Sequence, residues 1–250
     1  MTRSPIQIFP LAGLPEIRPG DDLARLILGA VRMQDFRVAA GDVFVIAQKI
    51  VSKAEGRIVS LDSIAPSDRA MKWAQEWGKD PRVIELVLRE AKRIIRMERG
   101  VIIAETSHGF VCANAGIDVS NADEDTAILL PVDPDNSARA LQTRLCESLG
   151  ADIGIIISDT FGRPWREGLV NVALGVAGVA ALIDYRGAQD ANGKLLQATI
   201  IALADELASG AELVMGKSDR VPVAIIRGVT NAGTGSGRDL IRPEEKDLFR

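Results

Sequence analysis

Three short stretches constrain the fold more than anything else in the chain. Residues 42–47 (DVFVIA), 152–158 (DIGIIIS) and 221–227 (VPVAIIR) are almost uninterrupted apolar runs of strand length. A strand that is apolar at successive positions has both faces buried, because its side chains point alternately to the two sides of the sheet. The chain must therefore build a sheet whose centre is covered on both faces.

The remaining segments supply that cover. Residues 6–9 alternate into a short strand, broken by Gly13-Leu14-Pro15-Glu16. Asp21 or Asp22 can cap a helix to about Arg32, with Leu23, Leu26, Ile27 and Val31 on one face. A polar cluster, KIVSKAEG, fills residues 49–56. The apolar spacing predicts helices over 67–77 and 81–97. Residues 101–105 and 109–113 read as a hairpin, 114–121 (NAGIDVSN) as a polar loop, and 126–130 as a strand. A helix over 137–149 has Gly150 as its C-cap, and a long helix is predicted over 197–213. The Gly-rich tail at 233–237 reads as a flexible terminal loop. Strands and helices do not alternate strictly, which favours α+β architecture, with mixed sheets and flanking helices, over a doubly wound sheet.

Composition narrows the function classes. The 250 residues are 47% hydrophobic, enough for a sizeable core, but only 4% aromatic, which argues against a base-stacking surface. The 30 Lys and Arg are dispersed, the formal net charge is −4 and the pI is about 5.2, so nothing points to nucleic acid. Two cysteines, Cys112 and Cys146, are too few for a disulfide framework and read as small buried hydrophobes. No apolar stretch has signal-peptide or membrane-spanning character, so a cytoplasmic protein is expected.

Candidate chemistry gathers beside the apolar runs. Asp159-Thr160 follows 152–158, at what reads as a strand end, where open sheets place ligand sites. A carboxylate beside a hydroxyl suits Mg²⁺ or Mn²⁺, which prefer oxygen ligands, and an Asp capping the turn before Gly162 is the plainer alternative. Asp118 and Asn121 lie in NAGIDVSN, which also reads as a solvated turn. Lys49, Lys53 and Arg57 follow the first apolar run; lysines there can hold phosphates or simply face solvent. Arg163 and Arg166 flank Trp165 and could clamp an anion or pack on the indole. His108 stands alone, so no multi-histidine zinc site is available, and it reads as turn chemistry. The segment 210–218 (GAELVMGKS) has five residues between its glycines where a P-loop has four, and follows a helix.

Taken together, these segments resemble one family. FPLAGLPEIRPGDDL, GDVFVIAQKIVSKAEGR, VCANAGIDVSNAD, IIISDTFGRPWREG, ADELASGAELVMGK and VPVAIIRG stand in the order found in coenzyme F420-0:γ-glutamyl ligases, from about Phe9 to Arg250. The resemblance implies a mixed α/β unit over residues 1–250, without a C-terminal nitroreductase-like domain, that forms an intertwined homodimer. It implies GTP as co-substrate, two divalent cations (Mg²⁺ or Mn²⁺) and K⁺ as a further candidate. By motif, Asp118 and Asp159 would hold one cation and Thr160 would help hold the second. Leu14, Pro15, Glu16, Ile17, Gln48, Lys49, Lys53, Asn121 and the stretch 215–222, with Met215, Gly216, Lys217 and Ser218, would line the nucleotide. Arg163 joins the two aspartates as a catalytic candidate. The sequence departs from archaeal members at Gln48-Lys49, where they carry Ser-Thr, and at Lys217, where they often carry an acidic ligand for the second cation.

The implied activity is the GTP-dependent addition of L-glutamate to the carboxylate of F420-0, through an acyl phosphate. That chemistry needs positioning and neutralisation of phosphate charge, and no catalytic His or Cys. An amide ligase of the same fold acting on another acid, and a non-catalytic nucleotide-binding module, are the alternatives.

Overall fold

The computed structural model describes residues 5–119, 125–230 and 233–248. In chain order its elements are β1 (Gln7–Leu11), α1 (Leu23–Met33), β2 (Val43–Ala47), α2 (Gln48–Ala54), β3 (Ile58–Ser60), α3 (Asp68–Trp77), α4 (Pro81–Glu90), β4 (Ala91–Glu98), β5 (Val101–Thr106), β6 (Val111–Ala113), β7 (Thr126–Ile128), α5 (Pro134–Leu149), β8 (Gly154–Arg163), β9 (Arg166–Ala177), β10 (Ile183–Asp184), β11 (Ile200–Ile201), α6 (Leu203–Met215) and β12 (Val223–Arg227).

The three apolar runs become the centre of a five-stranded sheet of order β1-β12-β2-β8-β9. In it β2 and β8 run parallel and the other pairs are antiparallel, so the sheet is mixed. The period-two rule sorts its side chains. Phe44, Ile46, Ile155, Ile157, Val223 and Ile225 pack under α1, α2 and α5. Val43, Val45, Ile156, Ala224 and Ile226 pack under α6. Burial on both faces explains why these strands carry no polar alternation.

A smaller part is built from residues 58–130. There β4-β5-β6 form a three-stranded sheet and β3 pairs with β7, with α3 and α4 packed against them. The helix predicted over 81–97 is half right. Residues 81–90 are α4, but 91–98 form β4. Two bulges in the β4–β5 register let Ala91, Ile94 and Met97 all turn to one cluster. Bulges thus give a strand the spacing of three that reads as helical in the sequence. The predicted helix over 197–213 also begins late. Residues Ile200–Ile201 pair with β10, and α6 starts only at Leu203. Residues 49–56, read as a polar cluster, are mostly helix α2.

The Gly-rich tail is packed, contrary to its reading as a flexible loop. Asp135, buried at the start of α5, accepts hydrogen bonds from Val176 N (2.9 Å), Gly237 N (2.6 Å) and Ser236 Oγ (3.0 Å). A Cβ at Gly237 would lie 2.0 Å from Leu174 O, so no larger residue fits that crossing. The apolar run over residues 170–183 is largely core of this chain.

Asp135→Ala leaves buried donors on β9 and the tail without an acceptor. It is expected to lower stability by about 2–4 kcal/mol, measured by urea unfolding, and to expose the last 15 or so residues to limited proteolysis. An unchanged unfolding midpoint with an uncut tail would remove Asp135 from this role.

Candidate active site

The site is created by unequal strand lengths. β2 ends at Ala47, opposite Ser158, whereas β8 continues to Arg163 paired with β9. Asp159 and Thr160 are therefore inside a strand, past the end of its parallel partner, rather than in a loop after it. Alternation sends Asp159 to the side of Ile157 and Thr160 to the side of Ile156.

On the Asp159 side lies the NAGID segment. Asn114, Ala115 and Gly116 take three successive left-handed conformations (φ 51°, 53° and 73°). Such a run is strained for the two non-glycine residues. A Cβ at Gly116 would also lie 2.7 Å from Leu130 Cδ1. The turn aims the chain so that Asp118 exchanges backbone hydrogen bonds with Ile128, in both directions (3.0 and 2.8 Å). The Asp118 carboxylate then meets Lys49 Nζ at 2.6 Å. Asn121 lies outside the described residues.

Burial pushes the Asp159 carboxyl up to about 6. The Asp118 charge pushes the same way, while the Thr160 backbone N–H, Lys217 and Lys49 oppose both. Burial, with the Asp159 charge in support, pushes the neighbouring Cys112 thiol up to about 12, so it stays a neutral, buried hydrophobe. Two carboxylates near enough to act on each other, one of them desolvated, are a cation's counterpart. Among the described residues no group of three or more His, Cys, Asp and Glu is placed to hold a metal ion. The pair suits an ion such as Mg²⁺, which is held by one or two carboxylates and takes its remaining ligands from water and phosphate oxygens.

The Thr160 side holds residues that sequence reading missed. Thr160 Oγ1 donates to Asn171 Oδ1 (2.7 Å), and Asn171 Nδ2 donates to Glu212 Oε2 (2.9 Å). Lys217 Nζ donates to Thr160 Oγ1 at 2.6 Å. Asn171 sits in an apolar run and Glu212 in a helix of ordinary composition; the β8–β9 register pairs Thr160 with Asn171, and the packing of α6 on the sheet brings Glu212 to it.

The other predicted residues divide. Lys53 pairs with Glu16 of the GLPE loop, which ties Leu14 and Pro15 to the α2 side of the site. Gln48 is buried and its Oε1 accepts from Ser52 Oγ at 2.8 Å. Ile17 and Met215 are core side chains, so only their backbone can line a ligand. Gly216 and Ser218 lie in the exposed turn after α6, where Ser218 Oγ meets Asp219 Oδ1 at 3.2 Å. Arg163 is at the far end of β8, about 13 Å along the strand from Asp159, with its guanidinium on the carbonyls of Glu167 and Gly168. His108 lies in a turn, its Nε2 near Pro131 O and Val132 O (2.9 and 3.0 Å).

Paired carboxylates beside lysines, past the end of β2, have the chemistry of enzymes that hold a cation against anionic groups. Within that class the sequence is specific. The profile of the family described as F420-0:Gamma-glutamyl ligase matches residues 13–228. The chain is 49% identical over 251 residues to the coenzyme F420:L-glutamate ligase of Methanopyrus kandleri, covering 98% of each chain. It is 47% identical over 249 residues to the protein of that name from Methanothermobacter thermautotrophicus (98% of this chain, 99% of the relative). For the one from Archaeoglobus fulgidus the figure is 42% over 246 residues (98% and 96%). The chain belongs to the F420-0:γ-glutamyl ligase family.

The raised Asp159 pKa has a signed consequence for the metal-free protein. Between about pH 4 and 6 the unfolded chain ionises this group while the folded chain keeps it neutral, so stability is lost as pH rises through that window. Asp159→Asn should raise the melting midpoint at pH 8 by roughly 2–5 °C, and by much less at pH 4. An equal effect at both pH values would show that Asp159 is not ionised against its surroundings.

Proposed function

We propose that this protein is a GTP-dependent ligase that joins the amine of L-glutamate to the terminal carboxylate of coenzyme F420-0. The observation that carries the reading is the convergence of Asp118 and Asp159, with Lys49 on the former, at the end of the parallel pair, in a chain of this family. The names of the relatives supply the acceptor and the amino acid.

A carboxylate is a poor electrophile at neutral pH. In this reading an oxygen of the F420-0 carboxylate attacks the γ-phosphorus of GTP, the bond to the bridging oxygen breaks, and GDP leaves. The glutamate amine then attacks the acyl carbon, a proton is lost from nitrogen, and phosphate leaves with the bonding pair. The chain's contribution is alignment and charge. Asp118 and Asp159 hold one Mg²⁺ or Mn²⁺, which when bound supplies positive charge to the phosphate oxygens. Lys49 and Lys53 approach from α2 and supply ammonium charge to the same group. Lys53 would exchange Glu16 for phosphate, which opens the GLPE loop to the nucleotide. The reaction needs no thiolate, consistent with the neutral Cys112.

Assembly as a homodimer is part of the reading. Its support in this chain is the tip of the β8–β9 hairpin, where Trp165 and Leu169 are 79% and 67% exposed. A monomer mass by light scattering at micromolar concentration would remove it.

Purified protein with GTP, Mn²⁺ and L-glutamate should lengthen F420-0 by one glutamyl unit or more, read by mass spectrometry. Lys53→Ala should lower kcat/KM for GTP by roughly 10–100-fold, and Asp159→Asn should abolish turnover while the fold persists. A wild-type rate in Asp159→Asn, with the same metal dependence, would overturn the assignment of the site.

A further inference from the structure

The side of β8 opposite Asp159 carries an arrangement that the ligase reading leaves unexplained. The Lys217 ammonium is ringed by oxygen. It lies 2.6 Å from Thr160 Oγ1, 3.2 Å from Glu212 Oε1 and 3.5 Å from Asn171 Oδ1. The ring is internally ordered: Thr160 donates its hydroxyl proton to Asn171 Oδ1, and the Asn171 amide donates to the second oxygen of Glu212. Those bonds orient the amide so that its oxygen, not its nitrogen, faces the ammonium. Ser209 Oγ holds the Asn171 backbone carbonyl (2.8 Å), and Glu212 is fixed in the last turn of α6. A hydroxyl, an amide oxygen and a carboxylate are the donor types that hard divalent ions take. The lysine comes from the exposed turn after α6 and can be removed without opening a cavity.

We propose that Lys217 is a tethered cation. Its ammonium fills an oxygen-lined cation position formed by Thr160, Asn171 and Glu212, so that this chain carries there a covalently supplied charge in place of a divalent ion. The proposal builds on the ligase reading, in which Asp118 and Asp159 hold the divalent ion on the other side of the strand. Three carboxylates, Asp118, Asp159 and Glu212, then face two ammonium groups, Lys49 and Lys217. Removing Lys217 leaves one ammonium against three carboxylates and frees the ring for an ion. A tethered ammonium is present at any metal concentration, and as a point charge on a flexible stem it can reach a phosphate oxygen without leaving the site.

The test counts ions. Mn²⁺ bound to the full chain is measured by electron paramagnetic resonance and by calorimetry, with and without GTP, in the wild type, Lys217→Met, Lys217→Gln and Lys217→Arg. Circular dichroism checks each fold. The expected result is a gain of about one Mn²⁺ per chain in the Met and Gln variants, none in the Arg variant, and loss of the gained ion when Glu212→Gln is added. A folded Lys217→Met or Lys217→Gln protein that binds no more Mn²⁺ than the wild type overturns the proposal. So does a wild type that already binds an ion sensitive to Glu212→Gln. A wild type that binds no Mn²⁺ with GTP instead removes the Asp118–Asp159 metal reading. The gain on removing Lys217 still decides this one.

Discussion

The structure depends on one inequality: β8 is longer than the strand it runs parallel to. Along residues 154–158 it is an ordinary central strand, paired on both sides and buried on both faces. From Asp159 onward its β2 side has no strand partner among the described residues, because β2 has already turned into α2. The chain there can afford polar side chains that the sheet interior excludes. Asp159 leaves toward the NAGID turn and Thr160 toward α6, so the same two residues bring together two polar clusters on opposite sides of one strand. A shorter β8 would remove both residues from the site.

Charge then organises what the strand end exposes. An ionised Asp159 is disfavoured by its burial and by Asp118, and it is offset only in part by Lys49, Lys217 and its own backbone contact. On the other side the lysine, the threonine, the asparagine and the glutamate satisfy one another in a closed ring. One cluster is left short of positive charge and the other is complete. This difference explains why a ligand is expected on the Asp159 side, and why the Thr160 side is satisfied without one.

How much of this was legible in the sequence follows from what each signal measures. The three apolar runs named the central strands because burial on both faces leaves no other composition. Asp22 and Gly150 cap helices where cap chemistry is local. Readings failed where a tertiary feature imitates a local one. Bulges gave β4 a helical spacing, and Ile200–Ile201 is claimed by pairing with β10. The tail's glycines read as loose, although at least Gly235 and Gly237 are required by close backbone crossings. At the site, Asp118, Asp159, Lys49 and Lys53 were legible because they sit beside strands in short polar segments. Asn171 and Glu212 were not, since strand register recruits the one and the packing of α6 the other.

The edge of the sheet carries a consequence of its own. β9 is an outer strand, and its outward amides are met by carboxylates: Asp205 takes Ala173 N at 2.9 Å and Asp135 takes Val176 N at 2.9 Å. The segment around Ser236 and Gly237 then closes over it. An uncovered apolar edge is a template for pairing with other chains. During synthesis this edge stays open after β9 has emerged, until Ser236 and Gly237, made later, can close it. The window for aggregation is therefore set by how quickly the tail arrives. A chain cut off before Ser236 leaves that edge open to pairing with other chains.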